Sequence, residues 1–123
     1  MPTILLLDDN KDMLQVLSET LEFHQHTVIC GFNGHEGINH LNTCTHLPDV
    51  IISDLNMPNM NGVEFLGALQ RNTIWSQIPV AIMSGETGDR SHILQAGADA
   101  FVLKPFHYQE IEILLQQLIQ TTR

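Results

Sequence analysis

The sequence predicts an α/β domain built as a doubly wound, five-stranded parallel sheet with helices on both faces. Five short apolar runs alternate with longer segments of helical period, which is the pattern of successive βα units. Each run is apolar at consecutive positions rather than at every second one, as strands covered on both faces require. The breaking residues Gly31, Pro48, Pro58, Gly62, Pro79, Gly97 and Pro105 fall between these segments, so one undivided domain is expected.

Residues 4–7 supply the first strand, and Asn10 is placed to cap a helix whose Met13, Leu14, Leu17 and Leu21 share a face. Residues 28–30 supply the second strand, followed by a polar helix over 34–45 that Gly37 interrupts. The third strand covers 50–53 and its helix 63–72; the fourth strand covers 80–83. The helix expected over 89–96 has only Ile93, Leu94 and Ala96 to bury. After a fifth strand over 100–103, Ile111, Leu114, Leu115, Leu118 and Ile119 follow the i, i+3, i+4, i+7, i+8 spacing of one buried helical stripe.

The chain's 123 residues suit one core, and 43% apolar against 15% charged residues excludes a disordered tract. Its net charge of −9, from 5 basic and 14 acidic residues, repels phosphate backbones and anionic lipid, so direct nucleic-acid binding and membrane insertion are not expected. Cys30 and Cys44 form no disulfide framework or metal motif and suit small core positions, which fits a reducing cytoplasm. The first apolar run stops at Asp8, far short of a signal sequence or membrane span.

Polar residues capable of chemistry follow four of the strands: Asp8 and Asp9, Asp54, Ser84 and Gly85, and Lys104. In a doubly wound sheet these positions share one rim, where ligands bind at the reversal of strand order. If the first and third strands are neighbours, three carboxylates meet there and call for cations. Mg²⁺ suits such a site because it takes one or two carboxylates, a backbone oxygen, waters and a phosphate oxygen rather than a full protein cage. Lys104 adds a compact positive charge, Ser84 a hydroxyl donor and Gly85 a backbone amide. Asp54, alone after the central strand, is the best nucleophile toward phosphorus, and the turn-forming residues 55–62 after it bring backbone groups toward the site.

Four segments, LLLDDN (5–10), DVIISDLNMPNMNG (49–62), IPVAIMSG (78–85) and GADAFVLKPF (97–106), occur in an order and spacing that resembles the response-regulator receiver family. The resemblance covers the whole chain, residues 1–123, and in length it is closest to the single-domain chemotaxis type. It implies a flavodoxin-like strand order of 2-1-3-4-5. It further implies Asp54 as phosphoacceptor, Asp9 and Asp54 as direct Mg²⁺ ligands, Asp8 as a ligand through water, and the Asn56 backbone carbonyl as a third protein oxygen. Ser84 takes the place of the switch hydroxyl, Lys104 of its ion-pair partner and Phe101 of the switch aromatic, while Asn56 and Glu86 hold positions that tune phosphate lifetime. The implied partners are a sensor histidine kinase or phosphotransfer protein, and an output domain or target protein at the face of the fourth helix, fifth strand and fifth helix. Two residues depart from the commoner pattern: serine replaces threonine at Ser84, and Phe101 lacks the hydroxyl of a tyrosine.

Two other readings compete. A haloacid-dehalogenase-type hydrolase needs D-x-D after its first strand, which Asp8-Asp9-Asn10 does not supply. A degenerate receiver serving as an interaction scaffold lacks an acidic or lysine position, and none is lacking here. The chain has seven histidines; His35 and His40 are one residue too far apart for the H-E-x-x-H zinc motif, so the histidines are expected on the surface.

Overall fold

The computed structural model describes residues 2–121. Among them the elements run β1 (Thr3–Leu7), α1 (Lys11–Phe23), β2 (Thr27–Gly31), α2 (Gly34–Thr43), β3 (Val50–Asp54), α3 (Gly62–Gln70), β4 (Val80–Ser84), α4 (Arg90–Gln95), β5 (Ala100–Leu103) and α5 (Tyr108–Thr121). All adjacent strands pair in parallel, in the order β2-β1-β3-β4-β5. The expected doubly wound sheet and its strand order are therefore both present.

The alternation of side chains along each strand divides the core into two layers. Ile4, Leu6, Val50, Ile52, Ala81 and Met83 face Leu14, Leu17 and Leu21 of α1 and Ile111, Leu115 and Leu118 of α5. On the opposite face, Leu5, Leu7, Ile51, Val80 and Ile82 meet Leu41 of α2, Phe65, Leu66 and Leu69 of α3, and Ile93 of α4. Both β3 and β4 are buried at every position, which accounts for the apolar runs over 50–52 and 80–83 that open them.

Asparagine opens three of the helices. Asn10 accepts from the Met13 N–H, Asn33 from the Glu36 N–H, and Asn61 forms a reciprocal capping box with Glu64. Each such cap contributes about 1 kcal/mol by satisfying N–H groups that the helix itself leaves open.

Four expectations change in detail. Cys30 is exposed rather than part of the core, because β2 is an edge strand and is buried only at Gly31. The second helix stops at Thr43, where Cys44 turns to an extended conformation and becomes its C-cap. The fourth helix is shorter than expected, with a single 3₁₀ turn over Thr87–Asp89 before it; Ile93 is fully buried, whereas Leu94 is 36% exposed. The histidines are not uniformly on the surface. His26 and His40 are half-buried, and the His26 Nε2 lies 3.1 Å from Glu112 Oε1 on α5.

Candidate functional site

Strand register sets the site. Leu7 pairs with Ser53, so the next residues, Asp8 and Asp54, leave neighbouring strands at the same level. On the other side of β3, Asp54 pairs with Met83 and Ser84 with Leu103, which brings Ser84 and Lys104 to the same rim. Between β1 and β3 the chain winds outward in opposite directions, so the rim residues lie at the switch point of the sheet.

Lys104 lies between two buried carboxylates. Its Nζ is 2.6 Å from Asp54 Oδ1 and 3.2 Å from Asp8 Oδ2. Backbone amides orient the carboxylates further: the Asn10 N–H donates to Asp8 Oδ1 at 2.9 Å and the Asn56 N–H to Asp54 Oδ2 at 3.2 Å. Asp9 is exposed, yet Asp8, Asp9 and Asp54 each offer an oxygen within 4.8 Å of the others. These distances test the Mg²⁺ expectation on geometry, and the residues fit a small divalent cation.

The acid excess bears on the protonation equilibria of both partners. Burial pushes the Asp54 carboxyl above its ordinary value; the hydrogen bond from Lys104 opposes this without cancelling it, and the charge of Asp8 adds to it. For Lys104, burial alone would favour the neutral amine, but the hydrogen bond and charge of Asp54, joined by Asp8, hold the ammonium above its ordinary value. Both shifts have one cause. Two buried acids share one ammonium, so the base is fully compensated and Asp54 is not, which leaves room for another positive charge.

Of the remaining predicted residues, Ser84, Gly85 and Glu86 lie at the end of β4 and just beyond it, and Asn56 lies just beyond β3. Ser84 is buried, but its hydroxyl donates to Asp89 Oδ2 at 2.6 Å and accepts from the Glu86 N–H at 3.1 Å. Asp89 was not singled out from the sequence, because nothing marks a carboxylate five residues beyond a serine in an irregular connection. Gly85 and Glu86 are exposed in that connection, and a Cβ added at Gly85 would meet nothing within 4 Å. Asn56 follows β3 in the loop that the Gly62 N–H closes by donating to Leu55 O at 2.8 Å. Phe101 does not join the acidic centre; it is half-buried and packs against the layer containing Ile82 and Ile93.

An acidic pocket with a lysine at the switch point of a 2-1-3-4-5 sheet defines the receiver class of α/β domains. The chain belongs to the response regulator receiver domain family, whose pattern matches residues 4–116. It is 33% identical over 122 residues to the transcriptional regulatory protein KdpE of Mycobacterium tuberculosis, covering 98% of this chain and 52% of that protein. A Francisella response regulator receiver domain superposes with a TM-score of 0.89 at 30% identity, with 100% of each chain covered. The chemotaxis response regulator CheY4 of Vibrio cholerae gives a TM-score of 0.87 at 29% identity, covering 96% of this chain and 98% of that one. The chain thus spans about half the length of KdpE, whereas it covers the Francisella receiver domain end to end. Receiver domains of this family typically act in phosphoryl transfer within two-component signalling.

Proposed function

We propose that Asp54 accepts a phosphoryl group from a phosphohistidine of a sensor kinase or phosphotransfer protein, and that Lys104, Asp8 and Asp9 make this transfer possible. The observation that carries the proposal is the convergence of Asp8, Asp9 and Asp54 within 4.8 Å, with Lys104 Nζ 2.6 Å from the acceptor. An Asp54 carboxylate oxygen attacks phosphorus, the P–N bond of the donor breaks, and the leaving imidazole nitrogen keeps the electron pair and takes a proton. Lys104 holds an ammonium where negative charge gathers on the transferring group. Asp8, Asp9, Asp54 and the Asn56 carbonyl would hold Mg²⁺, which when bound offsets charge on the phosphoryl oxygens.

The added charge then draws the Ser84 hydroxyl toward the phosphoryl group, with the Gly85 amide as a further donor, and shifts the population of the α4-β5-α5 face. Phe101 sits on β5 within that face, and Leu103 and Ile113 expose apolar surface on it to an output domain or target protein. Asn56, whose N–H donates to Asp54 Oδ2, and Glu86, two residues beyond Ser84, set how readily water reaches the aspartyl phosphate, so the chain assists its own dephosphorylation as well. The cytoplasm is the compartment such a phosphorelay requires.

Incubation with acetyl phosphate and Mg²⁺, followed by intact mass measurement, tests the reading. The wild-type chain gains one phosphoryl group, and the gain disappears in Asp54→Asn and when the metal is chelated. Turnover of assorted phosphate esters would identify a hydrolase instead, and no mass gain would support the scaffold reading.

The raised Asp54 carboxyl has a consequence for stability. Its folded form keeps the proton to higher pH than the unfolded chain does, so ionisation of this group disfavours the fold. Its contribution is most favourable below the ordinary value of 3.8 and is lost as pH rises through the folded value. At pH 7 without metal, Asp54→Asn therefore melts higher than wild type, by roughly 2–5 °C. Adding Mg²⁺ narrows the gap by stabilising wild type more than the variant. Thermal melts of the two proteins from pH 3 to pH 8, with and without the metal, check the sign.

A further inference from the structure

Ser84 is 2% exposed, and its hydroxyl is already engaged inside the β4–α4 connection. Oγ donates to Asp89 Oδ2 at 2.6 Å while accepting from the Glu86 N–H at 3.1 Å. A serine hydroxyl has one proton to give. Here it is given to a carboxylate, and a hydrogen bond to an ionised acceptor is roughly twice as strong as one between neutral groups. Any oxygen bound at Asp54 must therefore compete with Asp89 for that proton.

Asp89 occupies a second role that it does not perform. It stands at the N-cap position of α4, where an aspartate side chain would ordinarily accept from the helix's open N–H groups, yet it makes no such bond. Its carboxylate serves Ser84 instead, and its backbone, at φ −78° and ψ −17°, continues the 3₁₀ turn over Thr87–Asp89. Asp89 thus has two alternative uses: tethering Ser84, as it does here, or capping α4 once its backbone turns from this helical conformation to the extended one of a cap.

We infer that Asp89 is a positioning residue that holds the Ser84 hydroxyl away from Asp54, and that surrender of this hydroxyl frees its carboxylate to cap α4. The inference rests on the reading of Asp54 as phosphoacceptor. A phosphoryl group carries more negative charge than the Asp89 carboxylate and wins the proton. Release of Asp89 then carries the change from Asp54 to the start of α4, and the two arrangements of one carboxylate supply the discrete states that such coupling needs.

The probe is beryllofluoride, a mimic of the phosphoryl group, titrated with saturating Mg²⁺ into wild type and variants while amide shifts are followed by NMR. Asp89→Ala, freed of the tether, binds roughly three- to tenfold more tightly than wild type. Asp89→Asn, which keeps a neutral acceptor, falls between the two. In a Ser84→Ala background, Asp89→Ala has no effect. Equal gains in the asparagine and alanine variants, or a gain that persists without the Ser84 hydroxyl, overturn the inference, because the charge of Asp89 would then act at a distance. A second measurement needs no phosphoryl mimic. The Glu86 amide, which donates to the tethered Ser84 Oγ, exchanges its hydrogen several-fold faster in Asp89→Ala. Unchanged exchange also overturns the inference. If wild type takes up no beryllofluoride while Glu86 exchange still depends on Asp89, the phosphoacceptor reading fails and the tether stands.

Discussion

In a Lys104→Met variant, uptake of phosphoryl groups from acetyl phosphate falls by roughly 100- to 1,000-fold, the usual loss when one preorganised charge donor is removed from a transfer site. Methionine keeps most of the apolar stem, so packing changes little and the ammonium is what is lost. That ammonium contacts Asp54 at 2.6 Å and Asp8 at 3.2 Å, and without it two buried acids face the incoming anion unopposed. Asp54 then holds its proton to still higher pH, which removes the nucleophile as well as the charge that steadies the transferring group. Lys104→Arg restores only part of the rate, because a planar guanidinium does not fit where a point charge bridges two carboxylates. Time-resolved intact mass measurement reads the rates. A Lys104→Met rate within about threefold of wild type would remove Lys104 from the transfer step.

The central strands and the acidic rim were legible in the sequence for a common reason. Parallel strands covered on both faces are apolar at nearly every position, so a charged or hydroxyl residue ending such a run stands out, as Asp8, Asp54, Ser84 and Lys104 do. The family segments then supplied a strand order that periodicity alone leaves open. Edges and irregular connections were less legible. Cys30 reads as core because a strand at the edge carries the same residue types as one in the middle, although fewer helices cover it. The fourth helix contracts from 89–96 to Arg90–Gln95 because Asp89 closes the 3₁₀ turn over Thr87–Asp89 and Ala96 becomes the C-cap. Asp89 reaches Ser84 through a 3₁₀ turn, and His26 reaches Glu112 across 86 residues. Neither spacing belongs to a repeating period from which a contact follows.

Gly62 shows how closely stability and the acceptor position are joined. It is the first residue of α3, directly after the Asn61 cap, and its N–H closes the loop onto Leu55 O at 2.8 Å. A Cβ at this position would lie 2.7 Å from Asp54 O and 3.0 Å from Leu55 Cα. Both are backbone atoms, so the clash is not relieved by turning a side chain; either α3 or the end of β3 must move. Gly62→Ala is therefore expected to cost about 1–3 kcal/mol, as overpacking of a filled site does. Phosphoryl uptake falls with it, by as much as about 100-fold, because misplacing a reacting group by about 1 Å has that effect. Gly88→Ala is the control: a Cβ there meets nothing within 4 Å, and its change in stability stays within about 0.5 kcal/mol. Urea unfolding and acetyl phosphate labelling of the two variants separate the outcomes. A Gly62→Ala protein as stable as the Gly88→Ala control would mean that the close approach of α3 to Asp54 does not hold in solution.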